Sequence, residues 1–164
     1  MPTTPDALFA YLDRLGIAHQ TVTHPPLFTV EQSRMLRGEI KGAHTKNLFL
    51  KDKKHSVFLI VAGEARQVDL KSLHHQLGAG RFSFGSAALM HQLLGVEPGA
   101  VTPLGVINDT DLKVEVVIDR LLLESEIVNC HPLVNTMTTS LSSAGLIAFL
   151  TATGHEPRII SLSP

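Results

Sequence analysis

His44-Thr45-Lys46-Asn47-Leu48-Phe49-Leu50-Lys51, the polar turn Asp52-Lys53-Lys54, and His55-Ser56-Val57-Phe58-Leu59-Ile60-Val61-Ala62 decide how this chain folds. Leu48, Phe49, Leu50 and Val57 through Val61 are apolar on both parities, so residues 44–51 and 55–62 read as two strands covered on each face. Within the first strand Lys46 shares its parity with Leu48 and Leu50. It therefore points toward whatever those leucines pack against, and must either snorkel to the surface or meet an anion.

Half of the chain's 14 Lys and Arg residues lie between Arg34 and Lys54, opposed there only by Glu39 and Asp52. This gives a local positive field in a protein whose formal net charge is −1. Near-neutrality argues against a general nucleic-acid coat, which needs many uncompensated cations, so any nucleic-acid contact is expected to be local. A length of 164 residues with 44% apolar content suits one domain, residues 1–164, around a single core. The single cysteine, Cys130, cannot form an internal disulfide, which favours a reducing compartment. No basic N-terminal region leads into an apolar run, and no apolar stretch approaches membrane-spanning length. A cytoplasmic protein without a membrane partner is expected.

Upstream of the two strands, Thr4-Pro5 marks a helix start. Leu8, Phe9, Leu12 and Leu15 form one stripe, and Gly16 ends it. Ile17 to Thr23 reads as a strand stopped by His24-Pro25-Pro26. Thr29-Val30-Glu31-Gln32 has capping-box spacing for a short helix through about Leu36, and Gly38 and Gly42 bound a loop. Downstream, Asp69 caps a helix over Leu70 to Leu77 that Gly78 ends, and Phe82 and Phe84 fit a short strand. Ser86 caps a helix through Leu94 that Gly95 ends. Glu97 to Gly105 is a loop stiffened by Pro98 and Pro103. Lys113 to Ile118, Ile127 to His131 and Asn135 to Leu141 read as strands. Ser143 caps a last helix through Ala152, and Arg158 to Leu162 closes the fold. Hairpins mixed with helices imply an α+β class: a mixed, largely antiparallel sheet or a partly closed barrel with surrounding helices.

Few residues carry obvious chemistry. Lys46 either stays solvated, as most strand-end lysines do, or meets a phosphate or a carbonyl oxygen gaining charge, beside Asn47, which both donates and accepts hydrogen bonds. The Gly99-x-x-x-Pro103 loop is either a plain tight turn or a stiff arc of backbone N–H groups suited to an oxyanion. His131, at a strand end before Pro132, is either a satisfied hydrogen-bonding group or one that orients substrate or water. His74, His75 and His91 are expected on helix surfaces, and no histidine pair shows the i, i+4 spacing with glutamate of zinc hydrolases, so no metal is expected. Cys130 reads as a buried inert thiol. There is no G-x-S-x-G elbow, P-loop or dinucleotide fingerprint.

Thr45 to Leu50, Ile60-Val61-Ala62-Gly63, Phe82-Ser83-Phe84-Gly85, Gly99 through Asp109 and Cys130-His131-Pro132-Leu133-Val134-Asn135-Thr136 together resemble the aminoacyl-tRNA deacylases related to the bacterial prolyl-tRNA synthetase editing domain. The likeness spans nearly the whole chain. Within that family it looks most like the free-standing ProX-type enzymes that clear alanine from tRNA(Pro), rather than the cysteine-clearing YbaK-type branch. The resemblance implies a pocket for the 3′-terminal aminoacyl-adenosine, with the family lysine on Lys46, its polar neighbour on Asn47, the loop on Gly99 and Pro103, and the strand-end histidine on His131. It implies no cofactor, no metal and no protein nucleophile, since the substrate's own ribose hydroxyl helps position water.

The mechanism expected on that basis has the Gly99 to Pro103 backbone hold the acyl group and oxyanion. Lys46 meets phosphate or carbonyl charge, and Asn47 and His131 orient the amino acid or water. Leu27, Phe28 and Phe49 narrow the pocket so that alanine enters and proline does not. The expected partner is the acceptor end of tRNA(Pro), with segment 34–54 against the stem and prolyl-tRNA synthetase as a further partner. Deacylation of cysteinyl- or seryl-tRNA, and a non-catalytic module that binds aminoacyl-tRNA or a synthetase, remain the alternatives.

Overall fold

A computed structural model of the chain describes residues 2–26 and 40–162. The expected helix at Thr29 to Leu36 lies outside those residues. Helix α1 (Pro5–Arg14) begins where the sequence places it: Thr4 is extended and its hydroxyl accepts the Ala7 N–H. Leu8 and Leu12 are buried, and Gly16 takes the left-handed φ of 72° that ends the helix.

Strands β1 (His19–Thr23), β2 (Ala43–Lys51), β3 (Val57–Gly63), β4 (Ser83–Phe84), β5 (Val114–Asp119), β6 (Ile127–Cys130), β7 (Met137–Ser142) and β8 (Arg158–Ile160) form one eight-stranded sheet. Its order is β1-β7-β6-β2-β3-β5-β8, with β4 added beside β2. The pairs β1–β7, β6–β7, β2–β3 and β2–β4 are antiparallel, whereas β2–β6, β3–β5 and β5–β8 are parallel. β1 and β8 lie at opposite ends of this path, so the sheet is open and the barrel alternative does not hold.

The turn between β2 and β3 is organised by Asp52. Its Oδ1 accepts the N–H groups of Lys54 (3.0 Å) and Ser56 (2.9 Å), and its Oδ2 accepts that of Gly80 (3.0 Å). These bonds, with the Lys54 charge, outweigh the cost of burial and lower the Asp52 pKa.

β3 is central and buried on both faces, as its unbroken apolar run requires. On one face Phe49, Leu59, Val61, Val116 and Ile118 pack with Leu8 and Leu12 of α1, with Leu93 and Leu94 of α3 (Ala87–Leu94), and with Leu146 and Phe149 of α4 (Ser143–Ala152). On the other, Leu50, Phe58, Ile60, Ala62 and Val117 meet Leu73 and Leu77 of α2 (Leu70–Leu77). Both Leu59 and Ile60 are fully buried, and truncating either to alanine costs about 2–5 kcal/mol.

Asp69 and Ser86 cap α2 and α3, and Gly78 and Gly95 end them with left-handed backbone. Three details correct the sequence reading. Ser142, not Ser143, caps α4: it is the extended residue, and its hydroxyl accepts the Gly145 N–H at 2.8 Å. β8 stops at Ile160, after which Leu162 turns back so that its N–H meets Asp119. The loop after Glu97 contains two 3-10 turns, Pro98–Ala100 and Pro103–Asn108, each opened by its proline, which starts a turn as well as stiffening the loop. Among the described residues no helix is long and apolar enough to cross a membrane.

Candidate active site at an amide-lined bend

Thr45 and Asn47 share one face of β2, and Asn47 is the residue that ties the strand to the Gly99–Pro103 loop. Its Nδ2 donates to the Val101 carbonyl at 3.2 Å and to Thr45 Oγ1 at 3.4 Å. Because a nitrogen must face a carbonyl, the amide has one orientation. Oδ1 is then buried and has no hydrogen-bond partner among the described residues. An orphaned acceptor of this kind costs about 1–3 kcal/mol. A ligand that brings an N–H or O–H to Asn47 removes that cost.

The bend offers the complementary groups. The Ala100 N–H is occupied by Glu97 O at 2.9 Å, while the N–H of Gly99 has no acceptor among the described residues. Gly99 is exposed, and a Cβ there would stand 3.1 Å from Asn135 Nδ2, so glycine lets Asn135 close over the bend. Pro103 is buried and opens the second 3-10 turn, where Thr102 Oγ1 accepts the Leu104 N–H at 3.2 Å. Gly99 therefore presents backbone, whereas Pro103 shapes the bend from behind.

His131 follows the end of β6. Its Nδ1–H donates to the Met137 carbonyl at 3.0 Å, which leaves Nε2 as an acceptor in the neutral ring. Burial lowers its pKa below the ordinary 6.5, only partly offset by the Met137 bond, and the nearby His24 and His44 push the same way. Neutral imidazole with a free acceptor is the form that can orient water. His24 is itself fixed, with Nδ1–H on Pro25 O and Nε2 accepting the Thr138 hydroxyl, both at 2.8 Å. Cys130 is buried and its thiol is pushed up to about 12, with Thr45 as its only hydrogen-bonding neighbour among the described residues. That thiol is no nucleophile at neutral pH.

Lys46 goes elsewhere. It stands opposite Ala62 in the β2–β3 register, on the face of Leu48 and Leu50, and among the described residues it has no hydrogen-bond or ion-pair partner. The structure thus brings Asn47, not Lys46, to the bend, because adjacent strand residues face opposite ways. The two faces of β2 meet along one edge: there it pairs with β6 at Ala43 and His44 and with β4 at Leu50 and Lys51, with no ladder partner between among the described residues. Phe49 shares the Asn47 face but is 3% exposed, its ring pressed on Gly85 so that a Cβ there would lie 2.4 Å away. It belongs to the core beneath the site. Leu27 and Phe28 lie outside the described residues.

Sequence reasoning missed Thr45, Asn135, His24 and Thr138 as parts of this site. The Thr45–Asn47 spacing was a usable signal, since i and i+2 share a strand face. Among the described residues no group of three His, Cys, Asp or Glu side chains is placed to hold a metal ion.

Comparison with known proteins identifies the family. Residues 24–149 match the model of the aminoacyl-tRNA editing domain, a span that runs from His24 through the bend and His131 into α4. Prolyl-tRNA synthetase associated domain-containing protein 1 of Danio rerio is 39% identical over 153 residues, 92% of this chain and 83% of the relative. Prolyl-tRNA editing protein ProX of Acetoanaerobium sticklandii is 36% identical over 157 residues, 95% of this chain and 96% of its own length. The crystal structure of a candidate trans-editing enzyme for prolyl tRNA synthetase superposes with a TM-score of 0.75 at 18% identity, covering 100% of this chain and 99% of the other. With its fold shared with the solved structure and more than nine-tenths of its length matched by these relatives, the chain belongs to the aminoacyl-tRNA editing domain family.

Proposed function

We propose that the protein is a trans-editing hydrolase that cleaves the ester between a small, wrongly attached amino acid and the 3′ end of tRNA, with alanine on tRNA(Pro) as its principal substrate. The observation that carries this reading is the buried Oδ1 of Asn47, unpartnered among the described residues, on the side chain that ties β2 to the bend where the Gly99 N–H is open. An aminoacyl ester has the matching groups in the matching order, an α-ammonium that donates and a carbonyl oxygen that gains negative charge.

In this mechanism the carbonyl oxygen lies toward the Gly99 N–H, and the α-ammonium toward Asn47 Oδ1. Water held by neutral His131 Nε2 attacks the acyl carbon. The tetrahedral intermediate collapses as the acyl C–O bond breaks, and the proton released by water passes to the departing ribose oxygen. The ester is already reactive, so positioned donors suffice without a protein nucleophile. Lys46, on the far face of β2, takes the phosphate that joins the terminal adenosine to the chain. Selection against proline follows from size, by exclusion from a pocket that admits alanine. Its partner is the acceptor end of tRNA, delivered free or from prolyl-tRNA synthetase, in the cytoplasm.

Single-turnover hydrolysis of alanyl-, prolyl-, cysteinyl- and seryl-tRNA by the purified protein tests this reading. Rapid loss of alanyl-tRNA(Pro) with prolyl-tRNA(Pro) intact supports it, and preference for cysteinyl- or seryl-tRNA would reassign the substrate. Binding without turnover of any of the four would sink the enzymatic reading. Lys46→Ala should raise KM more than it lowers kcat; the reverse would place the lysine on the carbonyl.

A further inference from the structure

Phe84 is the most exposed of the large apolar side chains among the described residues, at 62%, yet it sits on a fixed strand. β4 is held to β2 in the register Leu50↔Phe84 and Lys51↔Ser83, and the Gly85 N–H bonds the Phe49 carbonyl at 2.9 Å. On one side Gly85 is pressed against the Phe49 ring, and on the other Phe82 is anchored edge-on against Phe58 with centroids 5.2 Å apart. The backbone on both sides of Phe84 is thus clamped, and its ring is presented to solvent rather than left there by a loose loop.

Its surroundings are cationic. Lys53, Lys54 and Arg81 are exposed nearby in the chain, while Lys51, paired with Ser83, stands on the opposite face of the sheet. The one acid of this turn, Asp52, is 6% exposed and faces inward onto three backbone N–H groups, so the outward charge is uncompensated by it. A rigid aromatic face within a positive field is what unpaired nucleotides bind: the ring stacks a base of any identity and the cations follow the phosphates.

The placement relative to the site supports the same occupant. Phe84 lies on the Lys46 face of β2, opposite Leu50, four residues and about 13 Å along the strand from Lys46. A strand of RNA whose terminal aminoacyl group enters on the Asn47 face, and whose phosphate meets Lys46 across the ladder-free edge of β2, is led toward this ring. We infer that Phe84 is a stacking platform for one of the two cytidines that precede the terminal adenosine of tRNA. This rests on the deacylase reading for the identity of the RNA, but the platform has its own readout.

The test uses the full chain and short single-stranded RNAs ending in CCA, with 2-aminopurine at either cytidine position. The wild-type protein should quench 2-aminopurine fluorescence on binding at one of the two positions. Phe84→Ala should weaken that binding about 5- to 150-fold and abolish the quench. Phe84→Tyr should restore both, while Phe84→Leu, apolar but not flat, should not. Unchanged melting temperatures for all three variants exclude a folding effect, as expected for so exposed a ring. With alanyl-tRNA(Pro), Phe84→Ala should raise KM by a similar factor and leave kcat within twofold. If neither RNA is quenched by the wild-type protein, or Phe84→Leu binds as well as Phe84→Tyr, the platform is overturned while deacylation stands. If the wild-type protein quenches the RNA but hydrolyses no aminoacyl-tRNA, the platform stands and the deacylase reading falls.

Discussion

Replacing Asn47 by alanine separates the chemistry of the bend from the stability of the fold. The substitution removes the Nδ2 bonds to Val101 O (3.2 Å) and Thr45 Oγ1 (3.4 Å), and with them the only side-chain tie between β2 and the bend among the described residues. One net hydrogen bond is worth about 0.5–1.5 kcal/mol, and stranding the Val101 carbonyl adds to that. Deleting the orphaned Oδ1 works the other way by relieving a buried, unsatisfied acceptor. The net loss should be about 1 kcal/mol, which lowers Tm by roughly 2–4 °C in a domain of this size. Catalysis should suffer far more. A misplaced oxyanion donor costs about 100- to 1000-fold in kcat, and losing the partner of the α-ammonium adds to it. Single-turnover deacylation measured beside thermal melting reads both quantities on one sample. Asn47→Asp preserves the shape but sets a carboxylate oxygen against the Val101 carbonyl, so it should be no better than alanine. If Asn47→Ala keeps kcat within threefold of the wild type, the bend is not held by this residue and the reasoning fails.

Further outcomes follow from the same geometry. His131 works as a neutral ring with a lowered pKa, so kcat should stay flat as pH falls through the ordinary value of 6.5 and drop only at more acidic pH. A pH profile with its midpoint above 6.5 would contradict this. The same group destabilises the fold in acid: the unfolded chain takes up a proton that the folded one resists, so stability is lost from about pH 6.5 downward until the lowered pKa is passed. His131→Asn should flatten that part of the stability curve measured by denaturant titration. Cys130→Ser should retain deacylation, and alkylating reagents at pH 8 should leave the native enzyme active, because a thiol raised to about 12 is neither ionised nor exposed. His155 and Asp109 form a buried pair at 2.9 Å, both side chains 1% exposed, that ties the segment after α4 to the start of β5. His155→Ala should cost about 3–5 kcal/mol, a Tm drop on the order of 10 °C, with kcat per folded molecule unchanged.

Local signals were legible because their physics is local. Thr4, Asp69 and Ser86 each cap a helix through a bond to an N–H two or three residues on, and Gly78 and Gly95 end helices through their own φ. Ser142 and Ser143 carry the same hydroxyl one residue apart, and only the extended backbone at Ser142 tells them apart. The parallel pairings of β2 with β6 and of β3 with β5 join segments far apart in sequence, which no periodicity encodes. The site divides along the same line. Strand alternation placed Lys46 with Leu48 and Leu50, and by the same rule it put Asn47 on the other face. Reading both toward one loop overlooked this. The Asn47–Val101 bond spans 54 residues, and its carbonyl acceptor belongs to a backbone that has no side-chain signature.

The central claim is that the bend at Gly99 and Val101 receives the acyl group of an RNA-linked amino acid. A crystal structure with a hydrolysis-resistant 3′-amide analogue of alanyl-adenosine tests this directly. The acyl oxygen should lie within hydrogen-bond distance of the Gly99 N–H and the α-ammonium within reach of Asn47 Oδ1. An analogue seated with its acyl group on the Lys46 face, or bound with the Gly99 amide still open, would contradict it.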